Sequence, residues 1–428
     1  MNDIKELISF IKEATSPFHV VLQSENLLKK AGFEELNFEE TWHLQKGGSY
    51  FTRIYGTSLF AFTIGENLDK SHTFRIASAH TDHPCFHIKP VAEFTEKEYL
   101  RINVEPYGGM TKNTWLDRPL SIAGKVALKS EDIFHPNTVL VDFKRPILTI
   151  PNIAIHMNHD LNKGVELNNQ TEMIPLLGMM NETLNKDHYF IDFLSKELNV
   201  SKEDILDFDL FVYCIEEGCE IGLSNDFVSA PRLDNLTSVF SCLNGIIQGA
   251  SKNTINVIAL YDNEEIGSCT KQGADSIISN LLLNKIYFGL FQSNENLYNT
   301  ILRSFMISMD VAHGLHPNYT GKNDPTNVTI LNKGFSIKIN SNQKYATDSE
   351  AIAALQQLCN AYEIPYQKYV NRSDIAGGQT LGSISSAWLP MKTVDLGIPL
   401  LAMHSARELM GAKDQDSLNR LAIAFFSA

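Results

Sequence analysis

The sequence predicts an α/β fold in which helices flank a mixed, largely parallel sheet, with a β-rich segment inserted into it. Helical segments alternate with short apolar strands near both ends of the chain. Between them, from about residue 91, the pattern changes to the period-two alternation typical of antiparallel strands. A length of 428 residues predicts two or three domains at about 150 residues each. We therefore expect one discontinuous domain over residues 1–91 and 230–428 and an inserted domain over 92–229.

The individual elements follow from periodicity and from breakers. The first 35 residues predict two amphipathic helices, because apolar residues recur at helical spacing on either side of Ser16 and Pro17. A buried strand is expected over 74–78, where an apolar run leads into the breaker-rich segment 80–84. Within the insertion, the pattern predicts strands over 99–104, 121–128 and 138–143 and a helix over 189–198. Beyond it, helices are expected over 235–249, 275–290 and 349–362, and strands over 255–261, 305–309 and 393–396.

Composition and charge argue against several classes of function. The 36 Lys and Arg residues against 50 Asp and Glu residues give a net charge of −14, which argues against nucleic acid or an anionic membrane as a partner. The sequence shows no secretory signal and no run of 18 apolar residues. Its six cysteines form no C-x-x-C pair and are too sparse for a disulfide scaffold. This pattern predicts a cytoplasmic protein.

Five segments place His, Asp or Glu just after an apolar strand or at the start of a helix. In an open α/β sheet, ligands bind beyond the carboxyl ends of the strands. These residues are therefore expected to converge, although the sequence scatters them. The segments contain His80 with Asp82, Asp234, Glu264 with Glu265, Asp310, and His404.

Each segment taken alone also has a simpler explanation. His80 and Asp82 fit a loop histidine beside a turn aspartate, and Asp234 fits the N-cap of the helix that it opens. The adjacent glutamates fit a solvated acidic turn, and His404 fits a hydrogen-bonded core histidine. The metal interpretation therefore depends on the whole set.

A pair of metal ions makes the set coherent. A bridging carboxylate, with one further carboxylate and one histidine for each metal, leaves positions for water and substrate. Two Zn²⁺ ions about 3.5–4 Å apart polarise a carbonyl and lower the pKa of a bridging water to about 7. A nearby glutamate then acts as general base and passes the proton to the leaving amine. Nitrogen and oxygen ligands favour Zn²⁺ and also allow Co²⁺ or Mn²⁺.

The five segments, in this order, closely resemble the aspartyl aminopeptidase family of di-zinc metallopeptidases. The resemblance begins at Ser16-Pro17-Phe18-His19 and covers nearly the whole chain. It implies a zinc-peptidase fold with an inserted β-rich dimerisation or lid domain, and dimers that assemble into a tetrahedral dodecamer admitting short peptides. The matching segments are His80-Thr81-Asp82, Pro231-Arg232-Leu233-Asp234-Asn235, Asp262-Asn263-Glu264-Glu265-Ile266-Gly267-Ser268, Ser308-Met309-Asp310 and Leu401-Ala402-Met403-His404-Ser405.

The resemblance also implies which residues hold the two zinc ions of each subunit. Asp234 would bridge them, His80 and Asp310 would complete one site, and Glu265 and His404 would complete the other.

Two further residues match the catalytic positions of the family. Glu264 would be the general base, and Asp82 would orient His80. The leading hypothesis is therefore a cytoplasmic aminopeptidase that removes N-terminal residues, with Asp and Glu as candidates, from short peptides. The alternatives are a two-metal amide deacylase or carboxypeptidase, and a catalytically silent shell that binds peptides.

Four residues match substrate-binding positions of the family. His156, in an Ala-Ile-His segment, is expected to reach the active site of the neighbouring subunit and to donate to the substrate carbonyl or its oxyanion. Lys338 is expected to hold an acidic side chain of the N-terminal residue, with His313 and Tyr345 in the same pocket. His156 also fits a strand end at a dimer interface, and Lys338 also fits an exposed strand.

Two segments depart from the family pattern. Gln379, in 377–380, is larger than the hydroxyl residue that the family usually carries there. Residues 322–330 lack the Lys-His-Glu opening of the family. Both departures bear on the specificity for acidic residues and leave the metal set unchanged.

Overall fold

The computed structural model describes residues 2–69, 71–181 and 188–428; residues 182–187 of the predicted insertion lie outside it. Two compact units are found. The larger contains the chain up to Asp82, Gly218–Met403 and Glu408–Ala428. The smaller contains His83–Glu217 and His404–Arg407 and spans most of the insertion predicted at 92–229.

Helices lie close to the positions that the periodicity predicts, and three more occur where no helix was predicted. Within the described residues, no helix combines the length and the apolar character needed to cross a membrane. The helices are α1 (Asn2–Glu13), α2 (Pro17–Lys30), α3 (Tyr189–Leu198), α4 (Leu233–Gln248), α5 (Ile278–Phe291), α6 (Leu297–Arg303), α7 (Ser349–Ala361), α8 (Leu381–Trp388) and α9 (Asp414–Ser427).

Within the described part of the chain, the strands form three sheets. Those of the first half of the chain are β1 (Glu34–Glu35), β2 (Ser49–Ile54), β3 (Ser58–Ile64), β4 (Phe74–His80), β5 (Cys85–Glu96), β6 (Tyr99–Tyr107), β7 (Leu120–Leu128), β8 (Asn137–Asp142), β9 (Leu176–Met179) and β10 (Ile205–Cys214). Those of the second half are β11 (Cys219–Ile221), β12 (Phe227–Ala230), β13 (Ile255–Tyr261), β14 (Phe305–Met309), β15 (Ala312–His313), β16 (Phe335–Ile339), β17 (Tyr366–Val370), β18 (Lys392–Gly397), β19 (Pro399–Leu401) and β20 (Glu408–Gly411).

The larger unit is built on a nine-stranded sheet with the order β1-β2-β3-β13-β4-β14-β18-β16-β17. The four central strands β13, β4, β14 and β18 are mutually parallel, whereas β3 and β16 run antiparallel to their inner neighbours. A second sheet of this unit has the order β11-β12-β20-β19-β15. The predicted α/β fold with a mixed, largely parallel sheet is therefore confirmed.

Helices cover both faces of the nine-stranded sheet, because its central strands are apolar on both sides. Along β13, Val257 and Ala259 belong to one apolar cluster and Ile258 and Leu260 to the other. This alternation follows from the period of two in a strand. The clusters include side chains of α1, α2, α4, α7 and α9 on one face and of α5, α6 and α8 on the other. Because both faces of these strands are buried, their sequences are nearly continuous runs of apolar residues.

The smaller unit is built on a six-stranded sheet with the order β8-β7-β10-β5-β6-β9, in which all neighbours are antiparallel. Helix α3 packs its buried Tyr189, Phe190 and Leu194 inward. The hydroxyl of Tyr189 accepts from the main-chain N–H of Phe94 and donates to the carbonyl oxygen of Arg101, which ties the helix to β5 and β6.

A buried carboxylate joins the start of α9 to the loop before β16. Asp414 is fully buried and accepts main-chain N–H bonds from Asn332 (2.8 Å) and Gly334 (2.9 Å). Burial raises the pKa of Asp414 to about 7 in spite of these two bonds. The carboxyl group of Asp414 therefore changes its charge near neutral pH.

Replacing Asp414 with asparagine is expected to flatten the pH dependence of stability. Because the folded-state pKa is raised to about 7, the folded chain keeps a proton between about pH 4 and pH 7 that the unfolded chain has lost. The free energy of unfolding of the parent protein should therefore fall as the pH rises through this interval, by up to roughly 4 kcal/mol from this group.

Urea unfolding near pH 5 and pH 8 measures this change. Asp416→Asn is the matched control, because Asp416 is an exposed carboxylate on the same helix. Asp416→Asn should leave the change in the free energy of unfolding with pH as it is in the parent protein. An equal fall in the parent and in Asp414→Asn would contradict the prediction.

Candidate metal centre and active site

Acidic and imidazole side chains lie at the carboxyl ends of three adjacent parallel strands. His80 is the last residue of β4, which pairs with β13 on one side and β14 on the other. Glu264 and Glu265 lie in a 3₁₀ turn that follows β13, and Asp310 directly follows β14. The topology therefore brings together residues that are up to 230 positions apart in the chain, as expected for ligand sites in open α/β sheets.

The fourth member of the set, Asp234, lies in the first turn of α4. Its main-chain N–H donates to Glu408 Oε2 on β20 (3.0 Å). The side-chain amide of the next residue, Asn235, donates to the carbonyl oxygen of Met309 at the end of β14 (2.9 Å). These two bonds fix the start of α4 against the strand end that leads into Asp310.

His80, Asp234 and Glu265 each offer one ligand atom, and these atoms all lie within 4.8 Å of one another. His80 Nε2 is 3.2 Å from Asp234 Oδ1 and 3.6 Å from Asp310 Oδ1. His80 is 1% exposed and Asp234 is 3% exposed. The predicted convergence of these four residues is therefore seen in the structure.

The tautomer of His80 follows from its partner on the other side of the ring. Nδ1 lies 3.0 Å from the carbonyl oxygen of Asp82, which can only accept, so Nδ1 carries the proton. Nε2 is then left with its lone pair toward the carboxylates of Asp234 and Asp310. This is how histidine ligands of zinc are oriented.

The donor set fits zinc. A neutral imidazole nitrogen and carboxylate oxygens are ordinary zinc ligands, and carboxylates gathered in a buried space need a cation to be stable there. Burial alone lowers the pKa of His80, but hydrogen bonds to the carboxylates of Asp234, Asp310 and Asp82 raise it well above its usual value. The carboxylates around this ring therefore favour a positive charge at this position.

Asp82 contacts more than the His80 ring that it is predicted to orient. Its Oδ1 accepts the main-chain N–H of Glu264 (3.2 Å) and its Oδ2 accepts that of Glu265 (3.1 Å). Oδ1 also lies 3.4 Å from His80 Nδ1. A single buried carboxylate therefore sets the position of the predicted general base and of two predicted ligands.

Glu264 lies in a space that disfavours its charged form. Burial raises its pKa, the charge of His80 lowers it, and the charges of Asp310, Asp82 and Asp234 raise it; together these effects bring the pKa to about 8. A carboxylate with a raised pKa is suited to accepting a proton from water near neutral pH. Its neighbour Glu265 points a carboxylate oxygen into the ligand cluster.

Asp310 is paired on its far side with a buried lysine. Lys338 Nζ donates to Asp310 Oδ2 (3.1 Å) and to the carbonyl oxygen of Val311 (3.0 Å). Burial alone raises the pKa of Asp310, but the charges of Lys338 and His80 lower it. The sequence predicts an exposed or substrate-facing role for Lys338, whereas its side chain is 2% exposed.

The other predicted site residues lie as follows. His404 is in the turn between β19 and β20, is grouped with the smaller unit, and has its Nδ1 2.9 Å from the carbonyl oxygen of Gly109. His156 lies exposed in a turn of the smaller unit. His313 ends β15 and lies beside Tyr369, and Tyr345 is buried with its ring 5.2 Å from Lys338 Nζ. The roles of these residues remain predictions.

Sequence reasoning gave no role to Asn235 and Glu408, which hold the start of α4 in place, or to the buried Asp395. Asn235 and Glu408 fix Asp234, although both lie inside or beside the segments that carried the prediction. Asp395 on β18 is fully buried and accepts from Thr380 Oγ1 (2.7 Å) and from the main-chain N–H of Ala346 (2.6 Å). An aspartate inside an otherwise apolar strand was the available signal for Asp395.

Comparison with known proteins agrees with this geometry. The model of the family described as "Aminopeptidase I zinc metalloprotease (M18)" matches residues 10–426. A "Probable M18 family aminopeptidase 2" of Clostridium novyi is 45% identical over 410 residues, covering 96% of this chain and 95% of that protein. A protein of the same name from Ectopseudomonas mendocina is 37% identical over 427 residues, covering 99% and 98%.

Solved structures show the same fold. A structure described as "Cryo-EM structure of the Ape4 and Nbr1 complex" matches with a TM-score of 0.94 at 33% identity, covering 99% of this chain and 85% of that chain. "Structure of S. cerevesiae mApe1 dodecamer" matches with a TM-score of 0.85 at 26% identity, covering 99% and 94%. Together with the histidine and carboxylate cluster, these matches establish that the chain belongs to the M18 family of zinc metalloaminopeptidases.

Proposed function

We propose that this aminopeptidase uses two metal ions and Glu264 to remove acidic N-terminal residues from short peptides. The observation that carries the proposal is the placement of His80 Nε2 between Asp234 Oδ1 and Asp310 Oδ1, with Glu264 and Glu265 held beside them by Asp82. Asp234 is proposed to bridge the two ions. His80 with Asp310, and Glu265 with His404, would hold one ion each.

Different residues of the chain have different roles in the proposed hydrolysis. A metal pair held by these residues would supply Lewis-acid chemistry, polarising the scissile carbonyl and lowering the pKa of a bound water. Glu264 accepts the proton of that water and later delivers it to the leaving amine. Asp82 holds the turn that carries Glu264 and so keeps its carboxylate at a fixed distance from the ligands.

The proposed preference for acidic residues is supported by a basic cavity in the larger unit. This cavity has a volume of about 300 Å³ and includes His313, three residues beyond the predicted ligand Asp310. Lys322 and Arg372 line it, and among the described residues its lining contains neither Asp nor Glu. Asp374 pairs with Arg372 Nε (2.7 Å), so Lys322 is the cation that we expect to contribute most to binding an acidic side chain.

We further propose that the protein works as a homo-oligomer. A structural relative of this chain is described as a dodecamer. His156 is exposed and is preceded by Ile153 and Ile155 at 45% and 42% exposure, which supports a role for this segment at a subunit contact. The dimer-based tetrahedral dodecamer, the contribution of His156 to a neighbouring active site and the cytoplasmic location remain predictions.

A profile over N-terminal residues tests the proposed specificity. We expect kcat/KM for Asp- and Glu-peptides to exceed that for Leu-peptides by about tenfold or more, as one charge-assisted contact of ~1.5 kcal/mol or more predicts. Peptides with a blocked N-terminus should resist hydrolysis. This result would distinguish an aminopeptidase from a deacylase or a carboxypeptidase.

Lys322→Ala should reduce the ratio of acidic to Leu activity about tenfold, whereas Lys333→Ala, at an exposed lysine outside the cavity, should not change it. Equal activity of the parent on Glu- and Leu-peptides would end the specificity proposal. Metal retention without hydrolysis of any peptide would favour a silent peptide-binding shell.

A further inference from the structure

The turn between β2 and β3 lies beside the strand ends that carry the proposed site. It comprises residues 55–57 and leads into Ser58, the first residue of β3. Strand β3 is antiparallel to β13, with Leu59 opposite Leu260. The start of β3 therefore lies next to the end of β13, where the loop that carries Glu264 begins.

Ser58 is a fully buried serine at the base of that loop. Its hydroxyl accepts the main-chain N–H of Asp262 (3.0 Å) and donates to the carbonyl oxygen of Gln272 (2.9 Å). The side-chain amide of Gln272 also donates to Asp262 Oδ2 (3.3 Å). One hydroxyl thus joins the two ends of the loop 262–272, and the two adjacent glutamates of the site lie between those ends.

The same hairpin also holds the segment that carries His80. Thr81, the residue after His80, donates its hydroxyl to the carbonyl oxygen of Thr57 (2.8 Å). The main-chain N–H of Thr81 donates to the carbonyl oxygen of Tyr261 at the end of β13 (2.8 Å). Two adjacent residues, Thr57 and Ser58, therefore bind the two segments whose side chains converge in the ligand cluster.

The hydrogen bonds of Ser58 are made in the interior of the larger unit. A buried main-chain N–H or carbonyl group that loses its partner costs free energy. The loop is therefore expected to move when the hydroxyl is removed, so that these groups find other partners. Such a movement changes the distance between Glu264 and the ligand cluster. A misplacement of about 1 Å, even one that is caused far from the reacting atoms, can lower a rate about 10²-fold.

We propose that Ser58 is a positioning residue of the peptidase reaction, which holds the loop of Glu264 and Glu265 against the end of β4. The proposal rests on the proposed roles of these two glutamates as general base and metal ligand. It adds to the site a hairpin that lies outside all five segments from which the site was predicted. Because Ser58 acts on the reacting groups and not on the substrate pocket, its loss should affect all substrates alike.

Ser58→Ala tests the proposal, because it removes the hydroxyl and little volume. With saturating metal, we expect kcat to fall about 10–100-fold, by the same factor on Glu- and Leu-peptides, with KM little changed. The affinity for Co²⁺, measured by chelator competition, should fall about tenfold, because Glu265 is held less firmly. Hydrogen exchange of the main-chain amides of residues 262–272 should become faster, while that of α9 should stay as in the parent.

Ser304→Ala is the matched control. Ser304 is also buried, and its hydroxyl likewise accepts a main-chain N–H, that of Phe74 (2.8 Å), and donates to a carbonyl oxygen, that of Thr300 (2.7 Å). These bonds lie at the opposite end of β4 from His80. Ser304→Ala should therefore lower the urea midpoint of unfolding about as much as Ser58→Ala, but leave kcat and the affinity for Co²⁺ as in the parent.

Three results would overturn the proposal. An unchanged kcat in Ser58→Ala, or an equal loss of kcat in Ser304→Ala, would show that Ser58 has no particular role in the reaction. A loss confined to KM would assign Ser58 to substrate binding. If Ser58→Ala does not fold, Ser58→Cys, which is close to serine in size and only a weak donor, replaces it with the same expectations.

The measurements of Co²⁺ affinity and hydrogen exchange need no turnover. A parent protein that hydrolyses no peptide would therefore refute the proposed function without deciding the role of Ser58. In that case, unchanged Co²⁺ affinity and unchanged exchange of residues 262–272 in Ser58→Ala would refute the positioning role, whereas a loss of both kinds of stability would support it.

Discussion

Glu264→Gln is expected to lower kcat about 10²–10⁴-fold, the usual contribution of a general base, while the bound metal is retained. Glutamine has nearly the same shape as glutamate but cannot accept the proton of the attacking water. The substitution does not change the main-chain N–H of residue 264. This N–H should therefore keep its hydrogen bond to Asp82 Oδ1, which is 3.2 Å long in the parent. The turn that carries Glu265 should therefore stay in place.

Metal analysis and steady-state kinetics on the same sample measure this effect. Glu295→Gln is the control, because Glu295 is an exposed glutamate in the loop between α5 and α6. A variant at position 264 with full metal content and undiminished hydrolysis would remove Glu264 from the mechanism. A variant that has lost its metal would instead indicate that Glu264 belongs to the ligand set.

The convergence of the site could be predicted from sequence because each ligand directly follows a strong local pattern. Two of the buried strands, β4 and β13, are seven residues long and mostly apolar, and each ends at or beside an acidic or imidazole group. Parallel strands put their carboxyl ends at one edge of a sheet. His80 and Glu265 could therefore be expected to meet although they are 185 positions apart in the chain.

Other parts of the fold were missed because their sequence pattern is ambiguous. Helix α9 begins with Asp414 and Gln415, which are polar and yet fully buried, so its first turn does not show an amphipathic stripe. Strand β16 contains Lys338, and a lysine in alternation predicts an exposed face. Only the position of Asp310 across the sheet shows why this lysine is inside.

Lys338 illustrates a limit of inference from a resemblance. Sequence similarity identifies a lysine at a pocket position but does not show the direction of its amine. The structure places that amine on Asp310 Oδ2 and the carbonyl oxygen of Val311. The direction of this side chain is not determined by any local sequence pattern.

Asp234→Asn is expected to have the largest effect, because this residue is proposed to serve both metal ions. Its Oδ1 lies 3.2 Å from His80 Nε2, and its main chain is fixed by Glu408 (3.0 Å). An amide in place of the bridging carboxylate removes one negative charge and one strong donor from both ions. Both should be lost on dialysis, and kcat/KM should fall by more than about 10³-fold, since metal catalysis supplies several kcal/mol of the rate enhancement.

The metal content per subunit distinguishes a residue that binds both metal ions from a residue that binds only one. Asp310→Asn, at a ligand proposed for one ion only, should release about one equivalent, whereas Asp234→Asn should release two. Asp226→Asn, at an exposed aspartate shortly before β12, should retain both and keep full activity. Loss of a single equivalent from Asp234→Asn would refute the bridging role. Retention of both ions would show that Asp234 is no ligand, and then the close approach of His80, Asp234 and Glu265, within 4.8 Å, would need an explanation other than a shared metal pair.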